Sequence, residues 1–146
     1  MKQLEQVWFY AVPGTSGRFG FNPLIVDNLM YVLENESTII AVDAVTGKQI
    51  WTRTVDGNPT SRGINYWEST DRSDRRLFFG ASGHLQAIDA RSGEPILSFG
   101  DNGRVNMREG DFRALGGPSG TPGRVFENLI IEIEHGCAEH FNKSAI

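Results

Sequence analysis

The chain has 146 residues, of which 39% are hydrophobic and 22% are charged, as in folded globular domains and unlike disordered segments. Its 14 basic and 18 acidic residues give a net charge of −4. This balance argues against nucleic acid as the main partner, because phosphate binding needs a basic face. No apolar run approaches the roughly 20 residues that span a bilayer, and the N-terminus lacks the apolar stretch of a secretory signal. The single cysteine, Cys137, excludes a disulfide within the chain.

Short runs of β-forming residues separated by turn residues dominate the first 55 positions. The first run, VWFYAV at residues 7–12, is predicted to be a strand that ends at Pro13. Asp27-Asn28 and Gly47 are typical of turns that need a positive φ. Four strands are predicted around these turns, at residues 23–26, 29–33, 39–43 and 48–55. Together they form a four-stranded antiparallel meander with short connections.

This unit recurs along the chain. AVDAVTG at residues 41–47 returns as AIDARSG at residues 87–93, a shift of 46 positions. The strands predicted around the second copy are residues 64–67, 77–80, 85–88 and 95–99. A partial third copy begins near Thr121, where residues 124–131 resemble residues 24–31.

A four-stranded unit that repeats every 40 to 50 residues is typical of a β-propeller blade. We therefore predict an all-β fold that forms part of a larger propeller, as one partial domain over residues 1–146. The blade-like units are predicted at about residues 22–55 and 64–100, with an incomplete one from residue 121. About three blades are thus expected in the chain.

The repeated motif has a structural explanation at each position. Asp43 and Thr46 can hydrogen-bond to turn backbone, and Gly47 supplies the positive φ of the hairpin. Trp51, four residues later, is expected to wedge between adjacent blades and bury a large ring. The second copy has Leu97 at the corresponding position. The motif therefore predicts the fold and not the function.

Further segments carry a resemblance to a known family. SRGINYW at residues 61–67 is followed by RRLFF at residues 75–79 and SFGDNGRVN at residues 98–106, and LEQVW stands at residues 4–8. In this order and spacing they resemble the quinoprotein dehydrogenases, which bind pyrroloquinoline quinone (PQQ) on the axis of an eight-bladed propeller. The resemblance covers residues 4–131 and is greatest to the glucose-dehydrogenase-like branch.

The resemblance implies two cofactor-binding residues, Arg62 and Ser119. Arg62 matches the arginine that contacts the quinone, and a guanidinium can bind the carboxylates and quinone oxygens of PQQ in a fork. Ser119 falls near a threonine that hydrogen-bonds PQQ in the family. The complete enzyme would also use Ca²⁺, whose ligands are not assigned. The catalytic base is expected beyond Ile146, so no catalytic residue is assigned in this chain.

Two departures from the family pattern matter. The alcohol-oxidising branches have a vicinal Cys-Cys pair where residues 59–61 read Pro-Thr-Ser, which disfavours those branches. Beyond Ile131 the resemblance ends. His135, Cys137 and His140 follow there, but their spacing matches no common zinc pattern, and we predict no metal site.

Two other segments are assigned no chemistry. The glycine-rich residues 115–121 lack the Gly-Lys-Ser/Thr ending of a phosphate loop, and no helical pattern follows them. The charged residues 71–76 are predicted to form a solvated turn of mixed charge.

The sequence favours an N-terminal portion of a PQQ- and Ca²⁺-dependent dehydrogenase acting on a sugar, polyol or alcohol. A quinone or cytochrome would accept the electrons, and the resemblance implies a periplasmic location although no signal peptide is visible. The alternative is a non-catalytic propeller scaffold of the outer-membrane assembly lipoprotein type, which needs no Arg62 segment. The chain by itself is expected to be inactive and to associate with itself, since three blades leave sheet edges and apolar faces exposed.

Overall fold

The computed structural model describes residues 4–11, 20–35, 37–59, 62–108, 123–133 and 141–145. These residues form β-strands, turns and extended segments, with no helix among them, which confirms the all-β prediction. The strands are β1 (Leu24–Val26), β2 (Leu29–Asn35), β3 (Thr38–Asp43), β4 (Gln49–Thr54), β5 (Asn65–Glu68), β6 (Arg75–Ala81), β7 (His84–Asp89), β8 (Arg104–Asn106), β9 (Arg124–Phe126), β10 (Leu129–Ile133) and β11 (Phe141–Ala145).

The first sheet is a four-stranded antiparallel meander in the order β1-β2-β3-β4. Each of its strands overlaps a predicted one. Asp27 takes a φ of 52° in the tight turn between β1 and β2, as the Asp-Asn pair predicts. Five of the six residues of β3 are buried, so the third strand is covered on both faces.

The second sheet repeats this order as β5-β6-β7-β8. Its first three strands overlap those predicted, but the fourth prediction, residues 95–99, is wrong. Pro95 has no N–H and makes only an isolated bridge to Ile88, after which the chain turns, with the Phe99 N–H donating to the Ile96 carbonyl. The strand that pairs with β7 is β8, a few residues further on.

The third sheet has the order β11-β10-β9. Its strands β9 and β10 confirm the strand pair expected from the partial third copy. Glu127 takes a φ of 52° in the turn between them, the same value as Asp27 in the first sheet. Strand β11 pairs antiparallel with β10. It was not predicted, because its residues lie beyond the end of the recognised repeat.

The repeated turns have the hydrogen bonds predicted from the motif. The Asp43 carboxylate accepts from the Thr46 N–H at 2.7 Å and from the Thr46 hydroxyl at 2.8 Å. In the second copy the Asp89 carboxylate accepts from the Ser92 N–H at 3.0 Å and from the Ser92 hydroxyl at 3.3 Å. Gly47 takes a φ of 71°, as the motif requires.

Trp51 lies between the first two sheets, as predicted. Its indole N–H donates to the Ala90 carbonyl at 3.1 Å, and its ring covers the turn of the second motif. A Cβ added at Gly93 would lie 2.7 Å from the Trp51 ring, and the φ of Gly93 is 76°. Glycine is thus required at Gly93 both by the backbone and by the packed indole.

The N-terminal segment was predicted to be a strand at residues 7–12. The structure has no strand within residues 4–11, and Val12 lies outside the described residues. A strand needs a hydrogen-bonded neighbour, and none of the described strands pairs with this segment. Its Trp8 nevertheless docks on the first sheet, where the indole N–H donates to the Ala44 carbonyl at 3.1 Å.

The core consists of two clusters, one on each face of the second sheet. Alternate side chains of β6 point to opposite faces, so Leu77 and Phe79 join the first sheet's cluster while Phe78 joins the cluster with the third sheet. All three are fully buried. The second sheet is therefore enclosed between the first and the third, and this packing fixes how the ends of the three sheets align.

Candidate functional site

Contacts between turns show that the first strands of the three sheets run in the same direction. Arg72, in the β5–β6 turn, forms a 2.5 Å ion pair with Asp27, in the β1–β2 turn. The Trp67 indole N–H, near the end of β5, donates to the Asn128 side chain, in the β9–β10 turn, at 3.2 Å. These turns therefore share one end of the sheets, which we call the turn end. The segments that lead into β1, β5 and β9 lie at the opposite end, which we call the entry end.

Arg62 lies at the entry end, three residues before β5 begins. The next three residues are buried, so the backbone on the C-terminal side of Arg62 is anchored while its own side chain is exposed. Gly63 has a φ of 133°, a conformation that a residue with a Cβ rarely adopts. The Arg-Gly pair recognised in the sequence is thus explained by the turn through which the chain enters β5, since Gly63 allows the backbone conformation of that turn.

The guanidinium of Arg62 differs from most others in the described part of the chain. It forms no ion pair or hydrogen bond with a described residue. By contrast, the arginines at positions 53, 72, 75, 76, 91 and 104 each pair with a carboxylate. A guanidinium has five N–H donors in a planar fork that suits carboxylate or carbonyl oxygens, and within the described residues no carboxylate pairs with that of Arg62.

Ser119, the second candidate, lies outside the described residues, as do the glycine-rich residues 115–121. The described residue closest to it on the C-terminal side is Gly123, which has a φ of 66° and directly precedes β9. Since β5 and β9 lie in contact, Gly123 and the residue that directly precedes β5 lie at the same end of neighbouring strands. The role of Ser119 stays a prediction.

The described residues contain no group of three or more His, Cys, Asp or Glu side chains able to hold a metal ion. The three possible ligands near the end of the sequence, His135, Cys137 and His140, lie outside those residues.

The charged residues 71–76 lie at the turn end and are more ordered than the predicted solvated turn. Residues 71–73 are exposed, as expected. Arg76, which is only partly exposed, forms a two-point ion pair with Asp74 and lies over the Trp67 ring at 5.4 Å. This network was not predicted because its partners come from different strands, although the density of Arg and Asp in the run was a usable signal.

Tyr66 and Glu68 extend this network toward the first sheet. The Tyr66 hydroxyl donates to the Glu68 carboxylate at 2.7 Å, and Glu68 also accepts from Arg72 at 2.9 Å. Burial, followed by the bond to Glu68, raises the pKa of Tyr66 to about 12. The hydrogen bond from Tyr66, followed by that from Arg72, lowers the pKa of Glu68. Both groups keep one protonation state near neutral pH, which suits a structural link rather than proton transfer.

The described fold is a series of antiparallel meanders packed face to face, two with four strands and one with three described strands, which defines a propeller-type protein. The family model described as PQQ: glucose/ethanol/alcohol dehydrogenase, β-propeller domain, matches residues 1–140. The chain therefore belongs to the family of PQQ-dependent glucose, ethanol and alcohol dehydrogenase β-propellers, which confirms the resemblance recognised in the sequence.

Individual relatives agree with this assignment. Over 107 residues the chain is 35% identical to the dehydrogenase subunit of a quinone alcohol dehydrogenase from Gluconobacter oxydans, covering 66% of this chain and 13% of that protein. It resembles the crystal structure of quinohemoprotein alcohol dehydrogenase from Comamonas testosteroni with a TM-score of 0.56 and 26% identity, covering 82% of this chain and 17% of that one.

A relative of a different kind is the outer membrane protein assembly factor BamB from Burkholderia pseudomallei, which is 31% identical over 101 residues, covering 69% of this chain and 22% of that protein. The chain thus spans between about an eighth and a quarter of the length of these relatives. In the described part of the chain, no helix is long and apolar enough to cross a membrane.

Proposed function

We propose that the chain contributes three consecutive blades to an eight-bladed PQQ-binding propeller, and that Arg62 binds the cofactor. The whole protein would be a dehydrogenase that oxidises the hydroxyl group of an alcohol, polyol or sugar. Family membership supports the general activity. The three stacked sheets support a division into three blade-like units, at about residues 22–55, from 64 and from 121 onward, with the second unit extended past residue 100 to include β8.

The observation that carries the proposal is the exposed guanidinium of Arg62 at the entry end. PQQ has three carboxylates and an ortho-quinone, and Arg62 has no described carboxylate that competes for its N–H groups. The buried residues from Gly63 to Asn65 hold the backbone next to Arg62 in place, so binding would need little further ordering of that backbone. Arg62 thus fits a role in binding and orienting the cofactor.

Ser119 is proposed as a second group in contact with the cofactor, since it precedes β9 as Arg62 precedes β5. Its hydroxyl can donate to a carboxylate or quinone oxygen. When bound, PQQ supplies the ortho-quinone that accepts a hydride from the substrate carbon. The residues of this chain would bind and orient it, and no proton-transfer role is assigned to any of them.

Calcium belongs to the proposal for the whole protein only. The described residues offer no cluster of carboxylates with which to bind Ca²⁺, and we assign it no ligand in this chain. The Gluconobacter oxydans relative is a quinone alcohol dehydrogenase, which supports a quinone or cytochrome as electron acceptor. We propose a periplasmic location on the same resemblance.

The test is a titration of the 146-residue chain with PQQ, followed by quenching of tryptophan fluorescence. The chain carries three tryptophans to report binding. Arg62→Gln should weaken the association about tenfold or more, because a charge-assisted hydrogen bond is worth about 1.5–3 kcal/mol. Arg62→Lys keeps the charge but not the planar fork of donors, so its affinity for PQQ should lie between those of the wild-type chain and Arg62→Gln.

The matched control is Arg91→Gln, which removes an exposed arginine at the turn end. It should leave PQQ binding unchanged. Equal affinities for the wild-type chain and Arg62→Gln would contradict the role of Arg62. Equal weakening by both variants would show a nonspecific effect of charge and would contradict it as well.

The BamB relative supports a second candidate, a non-catalytic propeller scaffold. A scaffold needs no cofactor, so neither the wild-type chain nor Arg62→Gln would give saturable quenching by PQQ. Saturable binding by the wild-type chain that is lost in Arg62→Gln would exclude this candidate.

A further inference from the structure

The junction between the first and second sheets, which we call the first junction, contains a buried tyrosine. Tyr31 of β2 is 2% exposed and belongs to the core cluster that the two sheets share. Its ring lies 6.0 Å from that of Trp51, whose indole N–H donates to the Ala90 carbonyl of the second sheet. The Tyr31 side chain therefore lies between two sheets that are both described with four strands.

The hydroxyl of Tyr31 forms no direct hydrogen bond with a described residue. Other polar side chains of the first junction do have such partners. The Trp51 indole donates to a backbone carbonyl, and the Tyr66 hydroxyl donates to the Glu68 carboxylate at 2.7 Å. Buried hydroxyl groups are nearly always bonded to protein or to ordered water, because an unpaired one is costly.

The repeat shows that packing at this position needs no hydroxyl. Tyr31 pairs with Ala41 in the first sheet, and Phe78 pairs with Ala87, the matching alanine of the second motif. Phe78 is fully buried and contacts the Phe99 ring. A ring without a hydroxyl thus fills the same place in the second sheet, so the hydroxyl of Tyr31 calls for an interaction specific to the first junction.

Polar groups from both sheets lie near this hydroxyl. Burial, followed by the nearby Tyr66, raises the pKa of Tyr31, while Arg75 acts in the opposite direction. Asp89 and Asp27 act in the same direction as Tyr66. Tyr66 also packs against the core cluster that contains Tyr31. Tyr66 and Arg75 are therefore close to the hydroxyl without a direct hydrogen bond to it, an arrangement that one water molecule can bridge.

Tyr66 and Arg75 can each form a further hydrogen bond. The Tyr66 hydroxyl uses its proton on Glu68, and its oxygen can still accept. The Arg75 Nε–H donates to the Arg72 carbonyl at 3.2 Å, and a second nitrogen lies 3.5 Å from Asp27. These contacts use only part of the N–H donors of a guanidinium.

We propose that one ordered water molecule lies in the first junction and bridges the Tyr31 hydroxyl to Tyr66 and Arg75. It would accept hydrogen bonds from Tyr31 and Arg75 and donate to the Tyr66 oxygen, within the roughly two to four bonds typical of buried water. Charge favours water over an ion, because Asp27 and Asp89 would repel an anion and Arg75 would repel a cation. The water would join β2 to β5 and β6.

The sign of the effect of Tyr31→Phe on stability distinguishes a bridged hydroxyl from an unpaired one. Loss of a bridged hydroxyl should lower the folding equilibrium constant about fivefold, the loss typical of one hydrogen bond. Removal of an unpaired buried hydroxyl should raise the constant instead. Urea denaturation of the 146-residue chain at one fixed protein concentration measures it. A constant that rises or stays the same would overturn the proposal.

Tyr66→Phe provides the matched background for this measurement. It removes a hydroxyl that bonds to Glu68 and that the proposal also assigns to the water. Because the water would then have lost one partner, Tyr31→Phe should lower the constant only about twofold or less in this background. Equal losses in the wild-type and Tyr66→Phe chains would overturn the bridge between the two tyrosines.

A crystal structure at a resolution that shows ordered water tests the site directly. We expect density for a water within hydrogen-bond distance of the Tyr31 hydroxyl, the Tyr66 hydroxyl and the Arg75 guanidinium. The same density should be absent from crystals of Tyr31→Phe. A Tyr31 hydroxyl with no water beside it would overturn the proposal, as would a protein group bonded directly to it.

Discussion

The junction between the first and second sheets and the junction between the second and third have different anchors, although the same repeat builds both. Trp51 anchors the first, with its indole on the Ala90 carbonyl and its ring 6.0 Å from that of Tyr31. The residue at the same place in the second copy is Leu97, which is 66% exposed. The second junction instead uses Phe99, whose ring contacts that of Phe78 edge-on at 5.3 Å.

This difference follows from the connection between β7 and β8, which is longer than the corresponding connection between β3 and β4. The chain leaves β7 through the bridge at Pro95 and turns at Phe99 before returning as β8. Within this connection the Leu97 side chain is exposed, while that of Phe99 is buried. The second copy of the repeat therefore keeps the turn but buries its large side chain two positions later. The space between the sheets is filled in both cases.

The largest effect is expected for Trp51→Ala. Loss of the buried ring and its hydrogen bond should lower the free energy of unfolding by about 4 kcal/mol. Leu97→Ala, at the corresponding position, should change it by less than about 0.5 kcal/mol, because the side chain is exposed. Urea denaturation at one fixed protein concentration measures both. Similar losses would contradict the claim that the anchor has moved.

Phe99→Ala tests the other half of the comparison. It removes a buried ring and the edge-on contact with Phe78, so the free energy of unfolding should fall by about 3 kcal/mol. The same urea series measures it, with Leu97→Ala again as the exposed control two residues away. A loss no greater than that of the control would mean that the second junction depends on other contacts.

A smaller effect is expected at the turn end, where Asp27 pairs with Arg72 and Arg75 across the first junction. The side chain of Asp27 is 53% exposed, so solvent screens these pairs. Asp27→Asn should lower the free energy of unfolding by less than about 1 kcal/mol. The loss should shrink further in 1 M salt. A loss comparable with that of Trp51→Ala would show that charge, not the indole, dominates this junction.

The smallest effect concerns Asp71, in the same turn. Hydrogen bonds from the Ser69 hydroxyl, followed by those from Ser73, lower the pKa of Asp71 to about 2. A lowered pKa stabilises the folded chain above the ordinary aspartate value near 3.8, and this contribution disappears as the pH falls toward 2. In Ser69→Ala the pKa, followed by NMR of the carboxyl carbon, should rise toward 3.8. An unchanged value would exclude the serine as its cause.

Much of the fold was predictable because its determinants are local. The Asp43 turn and its second copy depend on residues within a few positions of each other, and both have the expected hydrogen bonds. The turn at Gly63 was also predictable, from the Arg-Gly pair, whereas the role of Arg62 stays a prediction. The outer strand of the second sheet was not predictable, because residues 95–99 have β-forming side chains and only pairing with β7 decides which segment becomes the strand.

Ser119 illustrates the limit for the site, since a family resemblance made it a candidate and it lies outside the described residues. The N-terminal segment is similar: its side-chain pattern indicates a strand, yet a strand forms only where another edge accepts its hydrogen bonds.

The sequence by itself determined the all-β class, the repeat and the turns, because these depend on residues close along the chain. Only the tertiary structure decided which residue anchors each junction and that the charged turn pairs across sheets. It also decided that the segments leading into the first strands share one end. These features depend on contacts between residues far apart in the chain, and such contacts form only when the sheets stack.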